Sequence, residues 1–424
     1  MQPRARPLAV AVAAILVAGC ADAGASRGGG AAGLLTAIDS TADSIIARVD
    51  GDVPASSVRR LEQEMLVAPA MDDTSLFGSI YEFDVDAANR LWVFDGSSSS
   101  IFLFGSDGAL IRRIGREGGG PGEFKQDNGM IALADTGLAV LDYENARLSF
   151  FSAAGDFETS WRVPTGFFTT SGLVTDRSGS FFIRRPVTEP REGEILGRMG
   201  LVRVLQDGTL RDSLAPPDLD VPREVYVAVS PDGRGRSSTA SGFAPNYYWA
   251  WHPDGYFVVG HGGKYEVILA RTQGKPVAIR RSMTPVPVGD EERTLAQERI
   301  TWSMRRTNPA WTWQGPAIPT TKAPLTQLLV SRDGRIWARV ATPSERIPDA
   351  ELDPPRENGP PPNRFRSPAV WEVFAPDGTF LGRIAFPPRT TLVEADGDMV
   401  WATTRDENDL PGVARYRIQP GLAR

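Results

Sequence analysis

The sequence carries 46 Lys and Arg against 52 Asp and Glu over 424 residues, with two His, one Cys, 43 Gly and 34 Pro. Charges of both signs are interspersed with no basic block, which argues against nucleic acid as a partner, and a single cysteine excludes an intramolecular disulfide. Glycine and proline at this frequency point to a turn-rich, all-β body rather than a helical bundle.

The chain opens with Arg4 and Arg6 and an uncharged apolar run over residues 8–17, too short to stand as a membrane-spanning helix. Val17-Ala18-Gly19-Cys20 ends the run with small residues before a cysteine, a tetrad that resembles the bacterial lipobox. The resemblance implies cleavage ahead of Cys20 and acylation of that residue, so residues 1–19 read as a signal peptide and the membrane becomes a partner through the lipid. Ala21 rather than Asp follows, which favours the outer membrane of the cell envelope. Residues 20–39 are rich in Ala and Gly and are expected to be a flexible tether, and residues 40–424 to fold as one domain.

Within that domain two kinds of turn alternate. The first precedes an apolar strand and occurs six times, at Asn89-Arg90, Thr136-Gly137, Ser178-Gly179, Asp254-Gly255, Asp333-Gly334 and Asp396-Gly397. The second falls in the following hairpin, at Asp107-Gly108, Ala154-Gly155, Asp207-Gly208, Gln273-Gly274 and Asp377-Gly378. Glycine takes φ > 0 freely and Asp bonds nearby amides, so such pairs suit tight turns. Strand, turn, strand, loop, strand, turn, strand, repeated six times, is the pattern of a six-bladed β-propeller with four-stranded antiparallel blades. The last blade is one strand short, and that strand is expected from residues 64–68, which would latch the ring. Residues 290–306 hold Leu295, Ile300 and Met304 at helical spacing among charges, so one short amphipathic helix is expected on a face of the ring.

Ile114-Gly115-Arg116-Glu117-Gly118-Gly119-Gly120-Pro121-Gly122-Glu123-Phe124, taken with Leu91-Trp92-Val93-Phe94-Asp95 and Ile101-Phe102-Leu103-Phe104, resembles the NHL-type six-bladed β-propeller proteins. The likeness is to the lipobox-bearing ones of Gemmatimonadota and Bacteroidota, and it is tight over residues 80–165. It implies the fold and assigns no activity, because the architecture hosts many unrelated ones. The glycines lack the Gly-Lys-Ser/Thr of a phosphate loop and read as a tight crossover between blades.

Chemistry is sparse. His252 and His261 stand apart from any carboxylate cluster with ligand spacing and read as structural. Some six-bladed propellers, the lactonase-like enzymes among them, hold a calcium ion at the mouth of the central channel. Here Glu82, Asn128, Asn246 and Gln327 lie near inner-strand starts, with Ser171 and Thr391 at the other two. One carboxylate in that set is few for a hard cation, so no cofactor is expected, and a calcium-dependent hydrolase, lactonase or lyase is the alternative. Asn246, Tyr247 and Tyr248, together with Trp311 and Trp313, which share a side if that segment is extended, are expected to contact a sugar ring or a partner's loop. The chain thus reads as a monomeric, lipid-anchored binding or scaffold propeller, not an enzyme, that recognises a protein or carbohydrate through its top-face loops.

Overall fold

The computed structural model describes residues 35–422 except 70–76, 126, 134–136, 165–170, 190–196, 223, 353 and 355–356. Cys20, the expected signal peptide and most of the expected tether lie outside the described residues.

Three N-terminal strands, β1 (Leu35–Ser40), β2 (Ile45–Asp50) and β3 (Val58–Val67), precede the blades. Blade I is β4 (Ile80–Val85), β5 (Leu91–Asp95), β6 (Ser100–Phe104) and β7 (Leu110–Ile114). Blade II is β8 (Asp127–Leu133), β9 (Gly137–Asp142), β10 (Arg147–Phe151) and β11 (Phe157–Arg162). Blade III is β12 (Ser171–Thr175), β13 (Phe181–Pro186), β14 (Met199–Val204) and β15 (Leu210–Leu214). A hairpin of β16 (Tyr226–Val229) and β17 (Arg236–Thr239) leads to blade IV, made of β18 (Tyr247–His252), β19 (Tyr256–His261), β20 (Glu266–Ala270) and β21 (Val277–Arg281). Helix α1 (Asp290–Thr307) follows. Blade V begins with β22 (Leu325–Val330) and β23 (Ile336–Val340), passes through a small hairpin, β24 (Glu345–Arg346) and β25 (Phe365–Arg366), and resumes with β26 (Val370–Phe374) and β27 (Phe380–Ala385). Blade VI is β28 (Thr390–Asp396), β29 (Met399–Arg405) and β30 (Pro411–Gln419).

Each blade is antiparallel, and among the described residues both kinds of turn fall where the sequence pairs place them. Gly208 shows why the residue type matters: its φ is 81°, and a Cβ there would lie 2.0 Å from the Arg162 carbonyl oxygen. The middle strands β5 and β6 are buried throughout, whereas the outer β7 is mostly exposed, so the apolar runs mark strands covered on both faces by neighbouring blades. Separate apolar clusters fill the junctions of I with II, II with III, III with IV, IV with V and V with VI. A sixth packs Trp401 and Val413 of blade VI against Leu91, Phe102 and Phe104 of blade I, which closes the ring.

The expected latch is present and longer than residues 64–68. β3 runs antiparallel to β30 with Met65 opposite Arg415 and Val67 opposite Val413, completing blade VI, and its first residues pair in parallel with β27. Residues 35–39 depart from the expected tether: they form β1, which pairs with β2, and β2 extends blade IV by lying parallel to β21. Ala47 and Val49 of β2 are fully buried, and this burial is what holds the added hairpin.

The expected helix also forms, with Leu295, Ile300 and Met304 as its buried residues. It packs against the β16–β17 hairpin in a cluster of Tyr226, Ala228, Ile300, Met304, Trp311 and Ile318. Arg346 of β24 bonds both oxygens of Glu291 at 2.7 and 2.9 Å, so the excursion in blade V is fastened to the same helix. These three insertions form a cap over blades III to V on the face where the inner strands start. No helix among the described residues is long and apolar enough to cross a membrane.

Candidate functional site

The inner strands line the channel, and their register defines a level within it. Glu82 faces Phe94, Ser171 faces Arg184, Tyr248 faces Gly260, Gln327 faces Arg339 and Thr391 faces Thr403. In blades I, II, III and V the pairing slips by a residue close to this level, and a bulge of this kind re-aims the side chains around it. Glu82 and Gln327 therefore do share a level, as the sequence suggested. Asn246 does not: blade IV has Tyr248 there, and Asn246 sits two residues earlier, exposed, its Oδ1 accepting the Tyr247 amide at 2.9 Å. Asn128 lies in β8, but its side chain is outside the described residues.

Two arginines missed in the sequence stand beside this level. Arg184 and Arg339 occupy equivalent positions on the second strands of blades III and V, where blades I and II carry Phe94 and Leu141 and blade IV carries Gly260. The Arg184 guanidinium lies 4.7 Å from the centre of the Trp249 ring, a cation–π contact across blades III and IV. Burial pulls its pKa down, opposed by the charge of Glu82. Arg339 is likewise pulled down by burial and steadied by Tyr248, whose phenol burial pushes up. Aligning the six second strands would have exposed both, because Phe-Phe-Ile-Arg and Ile-Trp-Ala-Arg break an otherwise apolar run.

A polar network spans the far end of the channel. Arg332, in the turn between β22 and β23, reaches Asp84 of blade I and bonds Glu394 Oε2 of blade VI at 2.9 Å. The Ala132 amide of blade II bonds Asp84 at 2.6 Å, and the Arg332 amide bonds the Ala395 carbonyl at 3.0 Å. Arg177 of blade III pairs with Asp254 of blade IV and donates to the Arg332 carbonyl at 3.4 Å. One connected network thus touches all six blades. Burial raises the Asp84 pKa, and the Arg332 charge is the largest effect opposing it.

The aromatic residues singled out in the sequence divide into two places. Tyr247 and Tyr248 begin β18; the Tyr247 hydroxyl donates to the Pro217 carbonyl at 2.6 Å, and burial pushes its pKa up to about 12. Trp311 is not exposed as expected. It is 3% accessible, inside the cap cluster, and its indole N–H bonds the Val227 carbonyl at 2.9 Å. The chain here turns back onto α1 to cover an apolar face, so Trp311 becomes core while Trp313 stays half-buried. Trp313, Ala317 and Ile318 then face Asp290, Arg293, Thr294 and Gln297 of α1 across a groove of about 480 Å³.

The remaining polar motifs are structural. His252 Nδ1 accepts the Asp254 amide at 3.1 Å, so its proton is on Nε2, 3.1 Å from the Gly334 carbonyl; burial lowers its pKa to about 4. His261 bonds the Gly263 and Lys264 amides and the Asp220 carbonyl. In the glycine-rich crossover the Gly120 amide is taken by Glu123 and the carbonyls of Gly118 and Gly119 by Asn145 and Arg147, which leaves a closed loop rather than an anion cradle. Of the expected calcium set, Asn246 is off the level and Glu82 stands in the field of Arg184, and among the described residues no three His, Cys, Asp or Glu side chains converge.

The model of the DUF5128 family, described as a 6-bladed beta-propeller, matches residues 71–182. The chain is a six-bladed β-propeller. A member of the DUF4221 family from Bacteroides vulgatus aligns over 85% of this chain and 99% of its own at 14% identity, with a TM-score of 0.49. A Bacteroides fragilis protein described as a candidate exported protein aligns over 88% and 99% at 12% identity, with a TM-score of 0.46. A virginiamycin B lyase from Staphylococcus aureus aligns over 83% and 98% at 10% identity, with a TM-score of 0.38. No curated protein matches the sequence.

Proposed function

We propose that this propeller is a lipid-anchored binding protein of the cell envelope, and that it takes a carbohydrate on its capped face in the groove between α1 and Trp313. The groove carries the reading. Its volume, about 480 Å³, is that of a small-ligand site, with an indole on one wall and a carboxylate, a guanidinium, a hydroxyl and an amide on the other. A sugar presents an apolar C–H face to the first wall and hydroxyls to the second. Arg293 Nε is buried there without a partner among the described residues. Anchoring rests on Val17-Ala18-Gly19-Cys20, and kinship with NHL-type lipoproteins on the 114–124 segment.

A glycan array on the purified protein, repeated with Trp313→Ala, tests the groove. The variant should bind the wild type's ligand at least tenfold more weakly, ~1.4 kcal/mol, with little loss of stability. Trp311→Ala should instead cost about 3–5 kcal/mol of stability, because that ring is core. A wild type that binds no glycan, or a Trp313→Ala protein that binds equally well, sinks the reading. For the anchor, Cys20→Ser should release the protein from the membrane fraction and abolish fatty-acid labelling; unchanged fractionation would refute it.

A further inference from the structure

The repeat supplies its own control for Arg184 and Arg339. At their position blades I and II place Phe94 and Leu141 and blade IV Gly260, so the fold does not require a charge there. Such departures from local consistency concentrate at functional sites. Each guanidinium offers five N–H donors, yet among the described residues neither donates a hydrogen bond. Both side chains are half-buried, so their donors stand open to a ligand.

Their surroundings narrow the ligand. The acids at the far end, Asp84 and Glu394, are already paired with Arg332, so they do not neutralise the upper level. At that level the described charges are two guanidinium groups and the Glu82 carboxylate, which leaves one positive charge. The Trp249 ring supplies a flat wall, Tyr248 a phenol, and Gln327 and Thr391 neutral hydrogen-bonding groups on blades V and VI. The Arg332 network spans the channel below this level.

We propose that the open half of the channel binds a small organic monoanion, a carboxylate carried on a ring, with Arg184 and Arg339 holding the carboxylate and Trp249 the ring. Guanidinium groups suit this role because their planar fork matches a carboxylate. The site is separate from the groove beside Trp313, and it stands or falls independently of that reading.

Calorimetric titration of the purified protein with benzoate and with glucuronate, against inorganic phosphate and glucose as references, tests it. At least one monoanion should bind, and more tightly than phosphate or glucose. Arg184→Leu combined with Arg339→Leu restores the sister-blade residue type, so it should keep the unfolding midpoint and weaken that binding by about tenfold or more. Trp313→Ala should leave it unchanged. If the leucine pair disturbs folding, Arg184→Gln with Arg339→Gln removes the charges and must show the same loss. No binding of either monoanion to the wild type, equal binding to the charge-free variant, or phosphate binding as tightly as the monoanion would overturn the proposal.

Discussion

Tyr265 donates its phenolic hydrogen to Glu372 at 2.6 Å across the junction of blades IV and V, where both side chains are shut off from solvent. The same carboxylate accepts from Arg281 at 3.2 Å and from Arg383 at 2.6 Å, and Arg281 also bonds the Gly51 carbonyl at 2.6 Å. One buried acid therefore ties two blades and the N-terminal segment together. Burial, reinforced by the Glu372 charge, holds the Tyr265 phenol protonated well above its ordinary range.

Glu372→Ala should cost about 3–5 kcal/mol, because it strands the buried Arg281 and the half-buried Arg383 without a counter-charge. Tyr265→Phe removes only one hydrogen bond to a charged group and should cost about 1.5–3 kcal/mol. Denaturant titration of both variants checks the order; a smaller loss for Glu372→Ala than for Tyr265→Phe would contradict it.

His252 makes stability fall with acid. Its folded pKa of about 4 lies below the ordinary 6.5, so its contribution is full above pH 6.5 and is lost as pH falls toward 4. The loss over that window is at most ~3.5 kcal/mol, since a pK unit is worth about 1.4 kcal/mol. His252→Gln should be less stable near pH 7 and flatter across the window. Equal slopes for the two proteins would show that other groups set the acid limb.

Removing the N-terminal strands should act in steps. Deletion through Ser40 strips only β1 and should be mild. Deletion through Gly51 also takes the buried Ala47 and Val49 and the carbonyl bound by Arg281, and should lower the unfolding midpoint clearly. Deletion through Ala68 uncovers the edge of β30 and should cause aggregation or loss of cooperative unfolding. Equal stability of all three would disprove the latch.

Arg332→Met leaves Asp84 and Glu394 unpaired at the far end of the channel. Because Arg332 remains a third exposed, the loss should be moderate, about 1–3 kcal/mol. Arg332→Lys keeps the charge but not the fork, and should recover only part of it. Full recovery by lysine would mean that charge alone, not geometry, holds the network.

The parts of this fold that are local in sequence are the parts the sequence displays. Asp207-Gly208 and its counterparts announce turns because few residues tolerate φ near 81°, and Leu295, Ile300 and Met304 announce a helix through their spacing. The latch was legible by subtraction, since blade VI lacked a strand. Long-range pairings were not. β2 joins β21 across more than two hundred residues, and Arg332 meets Asp84 at a separation of 248, with no motif to join them. Trp311 and Trp313 look alike in sequence, and only the return of the chain onto α1 decides which is covered.

The latch also sets a clock on how the molecule is made. Glu64 and Arg415, which pair across β3 and β30, are 351 residues apart. A polypeptide leaving a ribosome or a secretion pore in N-to-C order brings out β3 first and its partner last. Each intermediate blade can settle on the one before it, but the circle is completed only in a single late event, of the high sequence separation that makes folding slow. Until then β3 has no antiparallel partner, so the nascent chain stays an open arc.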